Sequence, residues 1–168
     1  MINDKIQKAL NGQFNLELRS AYHYLGMSAY FSQLNLNGFA QWIRVQAQEE
    51  LVHAMKIYDF INDREGNIEL RDVEGSPIEW DGPLDAFENA YEHERLVACQ
   101  INNLVDLSLA EKDHATNTFL QWFVTEQVEE EAITHEIVQK LKLVGTDGNG
   151  LFILDRDMGQ RDSESTEE

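Results

Sequence analysis

Residues 39–60, FAQWIRVQAQEELVHAMKIYDF, decide the architecture. Phe39, Ile43, Ile57 and Phe60 recur at helical spacing, so one face of the segment is apolar. Glu50 interrupts that face, seven residues after Ile43 and seven before Ile57, and His53 follows three residues later. A carboxylate and an imidazole thus stand in the middle of a stripe that is otherwise built for burial.

Three further segments carry the same kind of stripe. The first contains Ile6, Leu10, Phe14, Ala21, Tyr24 and Phe31, the third Phe87, Ala90, Val97, Ile101 and Leu104, and the fourth Phe119, Phe123, Ile137 and Leu141. None alternates with period two, so strands are not expected. Breakers set the limits. Pro77, Pro83, Gly66, Gly75 and Gly82 separate the second segment from the third, and Gly145, Gly148 and Gly150 follow the fourth. Softer breaks lie at Asn35–Gly38 and at Lys112–His114. The spacing predicts helices over about 4–33, 38–64, 83–111 and 114–143, with Pro83 in the first turn of the third and Asp113 capping the fourth. At about 1.5 Å per residue each helix is roughly 40 Å long. Short links make the first pair antiparallel, and likewise the last pair. Residues 65–82 can reach roughly 60 Å when extended, enough to cross the whole length of a bundle. The expected fold is all-α: a four-helix bundle with one long crossover between helices 2 and 3. A short fifth helix is expected at about 148–158.

Each stripe breaks near its midpoint. Glu17 lies between Phe14 and Ala21, Glu94 between Ala90 and Val97, and Gln127 and Glu130 between Phe123 and Ile137. In a bundle these positions meet in one layer, whichever way each helix runs. Several buried carboxylates cost several kcal/mol each unless they are protonated or neutralised by cations. Oxygen donors with one imidazole and no thiolate suit iron or manganese. Glu50 and His53 share a helical face, as i and i+3 neighbours do. Two-iron carboxylate bundles take one Glu from each of two helices and Glu-x-x-His from the other two. Glu17, Glu94 and the Glu50–His53 pair fill three of those places. Gln127-x-x-Glu130 departs from the fourth and leaves one metal held mainly by oxygen.

Composition bounds the rest. The chain of 168 residues, 42% hydrophobic, suits a single domain over 1–168. Its net charge of −18, from 31 acids against 13 Lys and Arg, makes nucleic acid an unsuitable partner. No apolar run reaches the ~18 residues of a membrane span, so no membrane association is expected. The single cysteine, Cys99, and the absence of a leader-like start point to a cytoplasmic protein. Residues 162–168 read as a solvated, disordered tail.

Several stretches resemble bacterial non-haem ferritins. Asn15-Leu16-Glu17-Leu18-Arg19-Ser20-Ala21-Tyr22-His23-Tyr24-Leu25 is similar to their first helix, Gln48-Glu49-Glu50-Leu51-Val52-His53-Ala54 to their second and Glu126-Gln127-Val128-Glu129-Glu130-Glu131 to their fourth. Gly150-Leu151-Phe152-Ile153-Leu154-Asp155 is similar to their short C-terminal helix. The resemblance implies a ferritin-like bundle that stores iron. It implies a ferroxidase site that oxidises Fe(II) with dioxygen or hydrogen peroxide, and a homo-oligomeric shell of twenty-four subunits that encloses ferric mineral.

By the same resemblance Glu17, Glu50 and His53 hold the first iron, and Glu50, Glu94 and Glu130 the second, with Glu50 bridging and Gln127 hydrogen-bonding nearby. Glu49, Glu126, Glu129 and Glu130 match a third iron site. Tyr24 matches a tyrosine that can supply an electron; Trp122 is a further electron-donor candidate, with packing as its default reading. Leu51 stands where haem-binding relatives carry a methionine, and Glu130 where they carry a histidine, so no haem is expected. Asn117 and Leu120 stand where animal ferritins carry acidic pore residues, which argues against that iron entry route. Two other readings of the same residues remain: a two-iron oxygenase or peroxidase acting on an organic substrate or peroxide, and a helical interaction module with buried acids.

Overall fold

The computed structural model describes residues 2–161; the expected tail, 162–168, lies outside the described residues. The helices are α1 (Asp4–Gln33), α2 (Asn37–Asp63), α3 (Pro83–Ala110), α4 (His114–Val144) and α5 (Gly148–Met158). Their limits differ from the sequence reading by at most one residue, because the punctuating residues act locally. The Asn3 side chain accepts from Lys5 N, Asp113 from Thr116 N and Asp147 from Gly150 N, each satisfying an N–H that the first helical turn leaves open. Pro83 takes the first turn of α3, where no N–H is required.

Two apolar half-cores fill the bundle. One joins Tyr24, Met27 and Phe31 of α1 to Phe39 and Ile43 of α2, Phe87 of α3, Ile137 and Leu141 of α4, and Leu154 and Met158 of α5. The other joins Ile6, Leu10 and Phe14 to Ala54, Ile57 and Ile61, to Val97 and Ile101, and to Leu120 and Phe123. The late part of α1 therefore meets the early part of α2, and the two are antiparallel, as are α3 and α4. The early parts of α2 and α3 lie at the same end, so these two run parallel. The chain between them must then traverse the bundle.

That traverse is fastened to α1 by a ladder of side-chain amides. Gln7 Oε1 accepts from Asn67 N (2.8 Å), Asn11 Oδ1 from Glu69 N (2.7 Å) and Asn15 Oδ1 from Arg71 N (2.9 Å). In return Asn11 Nδ2 donates to the carbonyl of Asn67 and Asn15 Nδ2 to that of Glu69. Every fourth residue of the helix thus serves every second residue of an extended chain. Farther along, Ser76 Oγ donates to the His23 carbonyl and Tyr30 OH to that of Trp80.

At the other end α5 lies across the start of α2. Asp155 Oδ1 accepts from Phe39 N (3.0 Å), one of the donors with no partner inside α2. Gly38 permits this approach, since a Cβ there would stand 1.6 Å from the Asp155 carbonyl oxygen.

Two members of the expected stripes pack at the margin of the second half-core rather than inside it. Phe60 and Phe119 are half-buried and stack on each other, ring centroids 3.9 Å apart and 5° from parallel, at the lip of the α2–α4 groove. Helical spacing places a residue on a face but does not say how near the axis that face comes. Among the described residues no helix is long and apolar enough to cross a membrane.

Candidate metal centre

Between the half-cores lies a layer of acids. Glu17, Glu49, Glu50, Glu94 and Glu130 are each no more than 8% exposed, and His53 and Gln127 are buried beside them. The buried apolar residues on either side pack into opposite half-cores and leave the polar side chain at the junction: Phe14 and Tyr24 flank Glu17, Ala54 and Ala47 flank Glu50, Val97 and Ala90 flank Glu94, and Phe123 and Ile137 flank Gln127 and Glu130. Among the described residues, the one group of three or more possible ligands within 4.8 Å of one another is Glu17, Glu50 and His53. His53 Nδ1 stands 3.7 Å from Glu50 Oε2, and its ring is held edge-on by Trp122 and Phe123.

Glu94 and Glu130 face the same layer but are held by neutral groups. Tyr24 OH donates to Glu94 Oε1, and Gln127 Nε2 donates to Glu94 Oε2 (3.1 Å) and to its carbonyl (3.2 Å). Gln46 Nε2 donates to Glu130 Oε2 (2.9 Å) and Glu50 Oε1 (3.2 Å), while Gln13 Nε2 donates to Glu17 Oε1 (2.7 Å). Oε2 of Glu17 and Oε2 of Glu50 have no hydrogen-bond partner although both are buried. Two unpaired carboxylate oxygens beside an imidazole nitrogen form an acceptor-only cluster, which a cation or protons must complete. Oxygen and nitrogen donors without sulfur fit a hard or borderline divalent ion such as iron or manganese.

The other singled-out residues are less closely gathered. Glu49 lies close enough to Glu126 and Glu130 to feel their charge, Glu126 is half-buried, and Glu129 is exposed. Glu49 also pairs with Arg161. Trp122 is half-buried between the His53 ring and Lys56, whose Nζ is 4.4 Å from the indole centroid. The sequence reading missed Gln13, Gln46 and Arg161. The two glutamines were detectable, since each precedes a buried glutamate by four residues on the same face. Arg161 is 112 residues from Glu49 and carried no local signal.

Burial and mutual repulsion raise the acids' pKa values. For Glu17 the larger cause is burial, followed by the Glu50 charge; for Glu50 it is burial, followed by Glu94 and Glu130. Glu130 is pushed up to about 8, chiefly by burial and then by Glu94. A raised folded-state pKa contributes stability that is complete below the unfolded value and lost as pH climbs through the folded one. The melting temperature of the metal-free protein is therefore expected to fall as pH rises from about 6.5 toward about 8. Co(II) should restore it, and Glu130→Gln should flatten the slope. His23 and His93, whose pKa values burial lowers (His93 to about 4), have the opposite sign, as do Asp113 and Glu111, but all act below this window. Calorimetry across the range checks the prediction; a metal-free melting temperature that climbs from about pH 6.5 to about 8 contradicts it.

Residues 7–144 match the ferritin-like domain family. The chain is 44% identical over 161 residues to the bacterial non-heme ferritin of Bacteroides fragilis (strain 638R), spanning 96% of this chain and 100% of that one. It is 40% identical over 156 residues to the bacterial non-heme ferritin of Campylobacter jejuni, spanning 93% of each. Among solved structures, an open-pore ferritin from the hyperthermophilic archaeon Archaeoglobus fulgidus superposes with a TM-score of 0.95 at 51% identity, covering 96% of this chain and 100% of that one.

Proposed function

Because the chain belongs to the ferritin family, we propose that it stores iron, acting as a ferroxidase at the Glu17–Glu50–His53 layer and keeping ferric mineral inside a homo-oligomeric shell. The observation that carries this reading is the buried acceptor-only cluster of Glu17, Glu50 and His53, with two carboxylate oxygens left unpaired. Burying such a cluster in its ionised form is unfavourable unless cations enter it.

Fe(II) is the substrate. One ion is taken by Glu17, Glu50 and His53, and a second by Glu50, Glu94 and Glu130, with Glu50 between them. Each Fe(II) gives one electron to dioxygen, which is reduced by two electrons and takes up two protons to leave as hydrogen peroxide. With hydrogen peroxide as oxidant, the same two electrons and two protons reduce it to two waters. Anionic oxygen ligands favour the higher charge of Fe(III), which makes electron loss easier. Gln127 keeps Glu94 oriented. Tyr24 is placed to supply a further electron, since Glu94 Oε1, its hydrogen-bond acceptor, can take the phenolic proton as the ring is oxidised. Hydrolysis of Fe(III) releases protons and delivers iron to the mineral. Glu49, Glu126, Glu129 and Glu130 form the third ion site, which either supplies an additional electron from Fe(II) or passes iron onward. The single imidazole favours this reading over an oxygenase with a second Glu-x-x-His.

Particle size and iron uptake test the proposal together. With 19.4 kDa per subunit, a shell of twenty-four elutes near about half a megadalton. After aerobic Fe(II) addition, iron should co-elute with that particle. A monomer or dimer that leaves iron in the small-molecule fractions would contradict storage.

A further inference from the structure

A cation belonging to the chain itself stands at the edge of the acid layer. Arg161, three residues beyond α5, donates Nη1 to Gln46 Oε1 (2.9 Å) and Nη2 to Glu49 Oε2, and its guanidinium lies 4.1 Å from the centroid of the Trp42 ring. The Arg161 side chain is 18% exposed and that of Glu49 10%, so this is not a solvent-screened surface pair. The planar fork engages two acceptors while its face rests on an indole, an arrangement lysine cannot reproduce.

The contact with Gln46 extends the effect inward. An amide has one accepting end and one donating end. With Oε1 committed to Arg161, Nε2 must point the other way, where it donates to Glu50 and Glu130. Arg161 thereby orients two carboxylates that it does not touch. Charge points the same way. Of the five buried glutamates, two divalent ions can neutralise four; the guanidinium is paired with Glu49, which the two-ion set does not use.

We propose that Arg161 is a resident counter-cation and positioning residue of this layer, holding by its charge the place that a third divalent ion takes beside Glu49. Binding of the third ion and departure of the segment after α5 from Gln46 and Glu49 are then one event. The inference rests on the third-ion site proposed above. It gives that site a low affinity of its own making: an incoming cation meets Glu126 and Glu129 directly but must displace Arg161 to reach Glu49. Once Arg161 leaves, Gln46 is free to turn, and its hold on Glu50 and Glu130 is relaxed.

The test uses the assembled full-length protein without oxygen, titrated with Fe(II) and separately with Co(II) in a calorimeter. Arg161→Gln keeps a stem over Trp42 but removes the charge; Arg161→Lys keeps the charge and loses the fork. Arg161→Gln is expected to bind the third ion about tenfold more tightly and, because Gln46 is freed from its hold on Glu50 and Glu130, the second ion a few-fold more weakly. Arg161→Lys, which keeps the charge but not the fork or the stacking, should fall between wild type and Arg161→Gln for the third ion. In wild type, hydrogen exchange of residues 155–161 should quicken when Co(II) exceeds two ions per subunit, a readout that a purely structural clamp does not move. A third ion bound equally or more weakly by Arg161→Gln overturns the role of Arg161 while leaving the third site standing. If wild type and both variants take two ions and no third, the third-site reading falls and the competition falls with it.

Discussion

In the double variant Glu50→Ala, His53→Ala the fast phase of aerobic Fe(II) oxidation is expected to slow by more than about 100-fold. Glu50 is the acid proposed to touch both ions, and His53 is the one imidazole in the layer, so the pair of substitutions removes the bridge and the nitrogen ligand together. Stopped-flow absorbance after mixing with Fe(II) measures the rate directly, and a variant as fast as wild type would remove these residues from the site. Glu50→Gln separates chemistry from folding. It keeps the volume and the shape of the side chain but not the buried charge. Because Glu50 Oε2 is buried without a partner, the metal-free Gln variant should melt at or above the wild-type temperature while oxidising iron slowly. Loss of activity with gain of stability is the pattern expected of a group retained for its ligand rather than for the fold.

The largest effect on stability is expected at Gly38. In Gly38→Ala the new methyl would stand 1.6 Å from the Asp155 carbonyl oxygen and 2.5 Å from its carbon. Those atoms are helix backbone and cannot swing aside. The helix α5 must shift, weakening the Phe39–Asp155 bond and drawing Leu154 and Met158 out of their half-core. Overpacking of this kind costs about 3 kcal/mol, which for a domain of this size lowers Tm by roughly 6–12 °C. Gly26→Ala is a useful comparison, because its new Cβ would stand 2.2 Å from Ser76 Oγ and 2.6 Å from Ser76 Cβ, atoms of the non-helical traverse rather than of a helix backbone, and should cost less. Gly12→Ala, with open space around its Cβ in mid-helix, should instead gain about 0.5–1 kcal/mol. If differential scanning calorimetry finds Gly38→Ala as stable as wild type, the close docking of α5 is wrong.

The bundle was legible because its signals are local. Pro83, Asp113 and the glycines after α4 act within a turn of where they stand, and stripes such as Ile6–Leu10–Phe14 mark a face without reference to the rest of the chain. The acid layer was legible for a related reason: a glutamate between two buried residues on one face has only the interior to enter. Where the reading ran short, the missing fact was a distance between elements. Spacing alone could not place Phe60 and Phe119 at the lip of a groove, nor indicate that Gly38 is small to admit a carbonyl from α5. Arg161 is the clearest case. Its partners come from α2, its stacking surface is Trp42, and its neighbours in sequence hint at none of them.

The amide ladder between α1 and the traverse behaves as a vernier. Four residues of helix advance about 6.0 Å, whereas two residues of extended chain advance about 6.6 Å. The two scales agree closely enough for Gln7, Asn11 and Asn15 to find their marks, but they drift by about 0.6 Å at each step. Arg19 is next in the series, and there the scales have parted: a cavity of about 250 Å³ opens between Arg19, His23 and His93 on one side and Glu74, Gly75 and Ser76 on the other. The chain meets the helix again at Ser76. Insertions near residues 72–75 would be absorbed in that slack, whereas one between 67 and 71 would put every later rung out of step.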